Sequence, residues 1–158
     1  MKIVYLSLGS NVGDRETHLA RARERLASED THILRASGIY ETEPRDFPDQ
    51  AWFLNQVVEI ETDLFPKQLL TRVQKIELAL GRVPTHPKGP RTIDIDILLY
   101  GDTILSNPGL EIPHARLADR RFVLEPLAEL VPDLRHPRTN ATVREMLAQV
   151  HNQKVQRI

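Results

Sequence analysis

Patterned segments in the order strand, helix, strand, strand, helix, strand predict an α+β fold for this 158-residue chain, with an antiparallel sheet carrying two helices on one face. Two observations carry that reading. The strand segments alternate apolar and polar residues with period two, and the two helical segments between them repeat apolar residues at three- and four-residue spacing. A chain of this length buries a core as one domain, so residues 1–158 are read as a single unit.

Residues 2–8 form the first strand, which stops at the turn residues Gly9-Ser10-Asn11-Val12-Gly13-Asp14. A helix over about Arg15 to Ala27 follows, with Leu19, Ala22 and Leu26 as its apolar stripe. The turn tempts comparison with a phosphate loop, but it lacks the terminal Gly-Lys-Ser/Thr of a Walker A motif. Ile33 to Thr42 is read as the second strand, leading into a loop broken by Pro44 and Pro48. In the third, Phe53 to Thr62, the residues Phe53, Asn55, Val57 and Glu59 share one face and Leu54, Gln56, Val58 and Ile60 the other. Pro66 suits the first position of a second helix, whose stripe is Leu69, Val73, Ile76 and Leu80 and whose end is marked by Gly81. Thr92 to Tyr100 is the fourth strand. The resulting βαββαβ order is the ferredoxin-like signature. Further on, a short hairpin is expected near Ile104, a helix from Leu117 towards Glu125 that Pro126 disturbs, and a last helix started by the capping box of Thr142 and Glu145.

The chemistry gathers in the fourth strand. In Thr-Ile-Asp-Ile-Asp-Ile-Leu-Leu-Tyr, Ile93, Ile95 and Ile97 point one way, and Asp94 and Asp96 the other. The two carboxylates thus share a face with Cα atoms roughly 6.6 Å apart. Like charges side by side need a compensating cation, and a divalent metal supplies one. The bland alternative is a strand with one wet face. Leu98 and Leu99, adjacent and hence on opposite faces, argue against it by implying burial on both sides. The loop before the strand carries Arg82, Lys88 and Arg91 and no acidic residue. Paired carboxylates beside a cationic loop outline a polyphosphate site.

Composition narrows the function classes. The chain has no cysteine, so thiol nucleophiles, thiolate metal sites and disulfides are excluded, and any metal is held by oxygen or imidazole. Paired aspartates then suggest magnesium. A net charge of −1 argues against bulk electrostatic binding of nucleic acid. No apolar run approaches the roughly 20 residues of a membrane span, and the N-terminus lacks a signal-peptide pattern. A cytoplasmic protein that engages neither nucleic acid nor membrane is expected, and a monomer.

GPRTIDIDILLYG, with GSN near the N-terminus, IPH beyond the acidic strand and RRFVLEPL after it, resembles the 6-hydroxymethyl-7,8-dihydropterin pyrophosphokinases of folate biosynthesis. The likeness runs in matching order from Ser7 to about Val150. It implies transfer of the pyrophosphoryl group of ATP to the pterin's hydroxymethyl oxygen, with ATP as co-substrate and two magnesium ions on Asp94 and Asp96. Arg82 and Arg91 join the aspartates as catalytic residues. Gln74, Ile97, His114 and Arg120 are implied as ATP contacts. The pterin is implied to stack between Phe53 and Phe122, with Asn55 and the segment Thr42, Glu43, Pro44 and Arg45 reading its edge. Some positions depart from the family pattern: Ala115 and Lys88 each stand where relatives carry an aromatic, Pro84 where an arginine can occur, and the loop after Gly81 is one residue shorter.

Each residue also has a plainer reading. Gln74 and Glu77 fit a solvated helix edge, Phe53 and Asn55 a core ring beside an edge amide, and His114 an ordinary histidine. Arg121 reads as a solvated neighbour of Arg120. Two other functions compete: a two-metal phosphodiesterase or nuclease using the same aspartates, and a non-catalytic ferredoxin-like binding module. A nuclease would want further carboxylates or histidines nearby, and an RNA-binding sheet would show exposed aromatics where this strand shows aspartates.

Overall fold

A computed structural model describes residues 1–43, 51–81, 92–151 and 153–158. Its elements are β1 (Lys2–Ser10), α1 (Arg15–Leu26), β2 (Thr31–Ala36), β3 (Tyr40–Thr42), β4 (Phe53–Thr62), α2 (Pro66–Ala79), β5 (Asp94–Tyr100), β6 (Leu105–Asn107), β7 (Leu110–Ile112), a 3₁₀ turn (Leu117–Asp119), α3 (Arg121–Leu130), α4 (Val143–Ala148) and β8 (Val155–Arg157). The main sheet runs β5-β1-β4-β3-β8 and is antiparallel at every pairing, with β2 also on β4. Because β2 pairs with the Val58–Thr62 half of β4 and β3 with its Phe53–Asn55 end, the two act as one interrupted strand. That is the ferredoxin-like order.

The single strand expected from Ile33 to Thr42 is therefore broken at residues 37–39. Side chains explain why the break is tolerated. Ser37 donates its N–H to the Val57 carbonyl (2.9 Å) and accepts from the Val57 N–H through its hydroxyl (3.0 Å), while Gln56 donates to the Ser37 carbonyl (2.7 Å). The ladder's polar groups stay paired across the gap.

The alternation expected in β4 divides the core in two. Leu54, Val58 and Ile60 join Val4, Leu6 and Leu8 beneath α1 and α2, which contribute Leu19, Ala22, Leu26, Leu69, Val73 and Ile76. On the opposite face, Tyr5 and Val57 pack against Val123, Leu124 and Leu127 of α3 and Val143 and Met146 of α4. Leu98 and Leu99 are both buried as expected, but not on opposite faces: both lie in the α3/α4 cluster. The cause is a bulge, since Leu6 pairs with Ile97 and Tyr5 with Leu99, leaving Leu98 as the extra residue.

The third expected helix is also altered. Instead of running from Leu117 towards Glu125 and being disturbed by Pro126, it is a 3₁₀ turn, an extended Arg120 (φ −113°, ψ 100°), and α3, which passes through Pro126 to Leu130. A mid-helix proline costs about 3 kcal/mol. Burying Val123, Leu124 and Leu127 at about 1.5–3 kcal/mol each offsets it. The hairpin near Ile104 forms as β6 and β7, and the capping box of Thr142 and Glu145 forms with bonds of 3.1 and 2.9 Å. Among the described residues no helix is long and apolar enough to cross a membrane.

Candidate active site

The register across three strands builds the site. Asp94 pairs with Gly9, and Gly9 with Asn55; one step on, Asp96 pairs with Ser7, and Ser7 with Val57. Side chains in such rows share a face, so Asp94, Asp96, Gly9, Asn55 and Phe53 lie on the α3/α4 side of the sheet. The two helices cover that face at Tyr5 and Val57. Farther along it, Asp94, Asp96 and Phe53 remain half-buried.

Gly9 shapes the middle of this surface. A Cβ added there would meet the Asn55 Oδ1 at 3.1 Å and the Phe53 ring at 3.7 Å. Its absence lets the Phe53–Asn55 pair pack close against the β1 backbone, in the row that leads from them to the carboxylates. Asn55 is buried and its Nδ2 donates to the Thr42 hydroxyl (2.8 Å), which fixes the amide's orientation and leaves its oxygen facing Gly9. Thr42 reaches it because β3 pairs Thr42 with Phe53. Glu43 follows at the end of β3, and its carboxylate accepts from the Lys154 N–H (3.4 Å).

The cationic wall comes from the C-terminal half. Arg120 lies 4.0 Å from the Asp96 carboxylate and its guanidinium sits over the Phe122 ring, 5.6 Å from the centroid. His114 follows a cis Ile112–Pro113 bond and donates its N–H to the Leu98 carbonyl (2.9 Å), which ties it to β5. Burial pushes the His114 imidazole down to about 4, and the nearby Arg120 and Arg116 charges add to this against an opposing pull from Asp94. It is neutral at pH 7. Since its Nδ1 accepts from the Arg116 N–H (3.0 Å), the proton sits on Nε2 as a donor.

Glu77, left open by the sequence, is buried and accepts from the Ile95 N–H (2.8 Å). Ile95 lies between the two aspartates, so this bond holds their strand. Gln74 is exposed one turn earlier on α2. Ile97 buries its side chain among the α1/α2 core residues, so any ligand contact it makes is through its backbone. Arg121 is not merely solvated: it pairs with Glu125 (2.9 Å). Arg82, Arg91, Lys88, Pro84, Pro44 and Arg45 lie outside the described residues. The role of Gly9 was missed, because only the register shows what its absent side chain makes room for.

An acidic pair, a basic wall, an aromatic ring and an oriented amide meet on one face. A family model described as 7,8-dihydro-6-hydroxymethylpterin-pyrophosphokinase (HPPK) matches residues 5–132. The chain belongs to this family. The 2-amino-4-hydroxy-6-hydroxymethyldihydropteridine pyrophosphokinases of Bacillus subtilis and Methylorubrum extorquens are 43% and 44% identical to it, covering 96% and 100% of this chain and 92% and 99% of their own lengths. Folic acid synthesis protein fol1 of Schizosaccharomyces pombe is 45% identical over 98% of this chain, which spans 21% of that protein. In structure, the chain is similar to wild-type HPPK-DHPS of Plasmodium falciparum with SDX-DHP, at a TM-score of 0.71 and 18% identity over 94% of this chain and 43% of that one. This last likeness supports the ferredoxin-like fold of the HPPK domain.

Proposed function

We propose that this chain performs the HPPK reaction: the hydroxymethyl oxygen of 6-hydroxymethyl-7,8-dihydropterin attacks the β-phosphorus of ATP and gives up its proton to solvent, the bond from that phosphorus to the AMP oxygen breaks, and pterin diphosphate and AMP leave. The observation that carries this reading is the row Asp94–Gly9–Asn55 across β5, β1 and β4. It sets an oriented amide and an aromatic ring, groups suited to a flat heterocycle, on the same sheet face as the paired carboxylates, with no side chain at Gly9 between them. A phosphodiesterase has no use for that ring and amide, and a non-catalytic module none for the paired carboxylates.

Phe53 would carry one face of the pterin and Phe122 the other, with the Asn55 oxygen and the segment from Thr42 to Arg45 along the ring edge. Arg120 and the Nε2–H of His114 would donate to phosphate oxygens as charge builds on them. A neutral histidine suits that task, because it positions by hydrogen bond without adding a third charge beside Arg120 and Arg116. Gln74 and the backbone of Ile97 would border the nucleotide, and Arg82 and Arg91 would complete the cationic wall. Glu77 keeps the aspartate strand in place.

Asp94 and Asp96 offer hard oxygen donors on one face, half-buried and without competing thiolates, a set that fits magnesium. They would hold the two ions, which supply charge neutralisation on the triphosphate. We further read residues 1–158 as one catalytic domain working as a cytoplasmic monomer. The test is an incubation with ATP, magnesium and the reduced pterin. AMP should form only when the pterin is present, and Asp96→Ala should abolish it while circular dichroism shows an unchanged fold. AMP released without pterin, or an Asp96→Ala enzyme with near-normal turnover at saturating magnesium, would sink the assignment.

A further inference from the structure

The last six residues tie together two parts of the molecule that are far apart in sequence. β8 pairs with β3, aligning Tyr40 with Arg157 and Thr42 with Val155. The pairing is reinforced by the Ile158 N–H on the Ile39 carbonyl (2.9 Å) and by Arg157 on Glu129 (3.3 Å). Just before β8, the half-buried Gln153 reaches the segment between the 3₁₀ turn and α3. Its Oε1 accepts from the Arg121 N–H (3.1 Å) and its Nε2 donates to the Asp119 carbonyl (3.0 Å). One amide thus grips the two residues that flank Arg120. The Arg121 guanidinium closes the arrangement by donating to the Gln153 carbonyl (3.2 Å).

The position gripped is one where α3 lacks a cap of its own. Arg120 is the N-cap residue and makes no side-chain capping bond; an arginine has only donors and cannot accept from the first amides of a helix. Its side chain instead extends to Asp96 and over Phe122. The first helical amide, that of Arg121, is satisfied by Gln153. The backbone of Arg120 is extended between two helical turns, and hydrogen bonds on both of its sides set where the side chain points.

We propose that Gln153 is a positioning residue for the transfer reaction: it supplies the cap that Arg120 cannot make and so holds the Arg120 guanidinium beside Asp96. This rests on the reading of Arg120 as a phosphate contact. β8 anchors the grip on the strand that carries Thr42, so the pterin edge and the phosphate wall are linked through the C-terminal segment. Gln153 touches neither substrate.

The test is a double-mutant cycle of Gln153→Ala and Arg120→Ala on the full chain, read by kcat, by KM for ATP and the pterin, and by thermal melting. Gln153→Ala is expected to lower kcat by roughly ten-fold, with a smaller change in KM for the pterin. In the Arg120→Ala background, the same substitution should change kcat by less than about two-fold, because its target is gone. Gln153→Glu, which keeps the acceptor but sets a carboxylate against the Asp119 carbonyl, should also lose kcat and serves where the alanine variant does not fold. Equal losses from Gln153→Ala in both backgrounds, tracking a lowered melting temperature, would overturn the proposal and leave a clasp that only stabilises. An Arg120→Ala enzyme with normal turnover would instead bring down the assignment of Arg120, and the role of Gln153 with it.

Discussion

At Gly9 one missing side chain does what no added side chain could. Alanine there would place its Cβ 3.1 Å from the Asn55 oxygen and 3.7 Å from the Phe53 ring, crowding the amide and the ring proposed to hold the pterin. Gly9→Ala should therefore weaken pterin binding by about 1–3 kcal/mol, the usual range for overpacking, and leave binding of an unreactive ATP analogue nearly unchanged. Calorimetric titration with each ligand separates the two. His114 makes a second prediction, from its imidazole held down to about 4. The folded-state value lies below the unfolded one near 6.5, so its contribution to stability is complete above about pH 6.5 and is lost as pH falls towards 4. Thermal melts of metal-free protein should show wild type losing stability over that window faster than His114→Asn. Equal slopes would mean that the imidazole is not held neutral. At this scale the sequence was informative about residues whose placement follows from strand alternation, such as the aspartate pair and Asn55. It was uninformative about Gly9, Glu77 and Gln153, whose contacts come from partners 18 to 46 positions away, as in the bond of Glu77 to Ile95 and the pairing of Gly9 with Asn55.

Among the elements, long periodic segments were read from sequence nearly to their ends. Those of β4 and α2 matched, with Gly81 in the left-handed conformation (φ 92°) just past the α2 C-cap. The failures have specific causes. Side-chain hydrogen bonds from Ser37 and Gln56 let β2 and β3 separate, a bulge moved Leu98, and core burial carried α3 through Pro126. β8 is three residues long with one apolar side chain, too little pattern to see. The short α4 shows the opposite balance, because local signals are strong there: Thr142 accepts from the Glu145 N–H and Glu145 accepts back from the Thr142 N–H. Thr142→Ala should destabilise the protein by about 1 kcal/mol without altering turnover. Denaturant unfolding beside a pterin-dependent AMP assay checks both parts. A loss of turnover would tie α4 to the site more closely than the burial of Val143 and Met146 in the α3/α4 cluster implies.

In the whole molecule, the two faces of the sheet have different tasks. α1 and α2 seal one face with an aliphatic core; α3 and α4 seal part of the other, next to half-buried Asp94, Asp96 and Phe53. Binary patterning told the faces apart, while the partial cover on the second could not be read from it, because it depends on where the C-terminal helices dock. The central claim is that pterin and triphosphate meet on that second face, across the row Asp94–Gly9–Asn55. The most direct test is a crystal structure with magnesium, an unreactive ATP analogue and the pterin. It should show the pterin ring over Gly9 between Phe53 and Phe122, with its hydroxymethyl group directed at the β-phosphate beside Asp94 and Asp96. A pterin bound on the α1/α2 side, or a triphosphate held away from the two aspartates, would contradict the account.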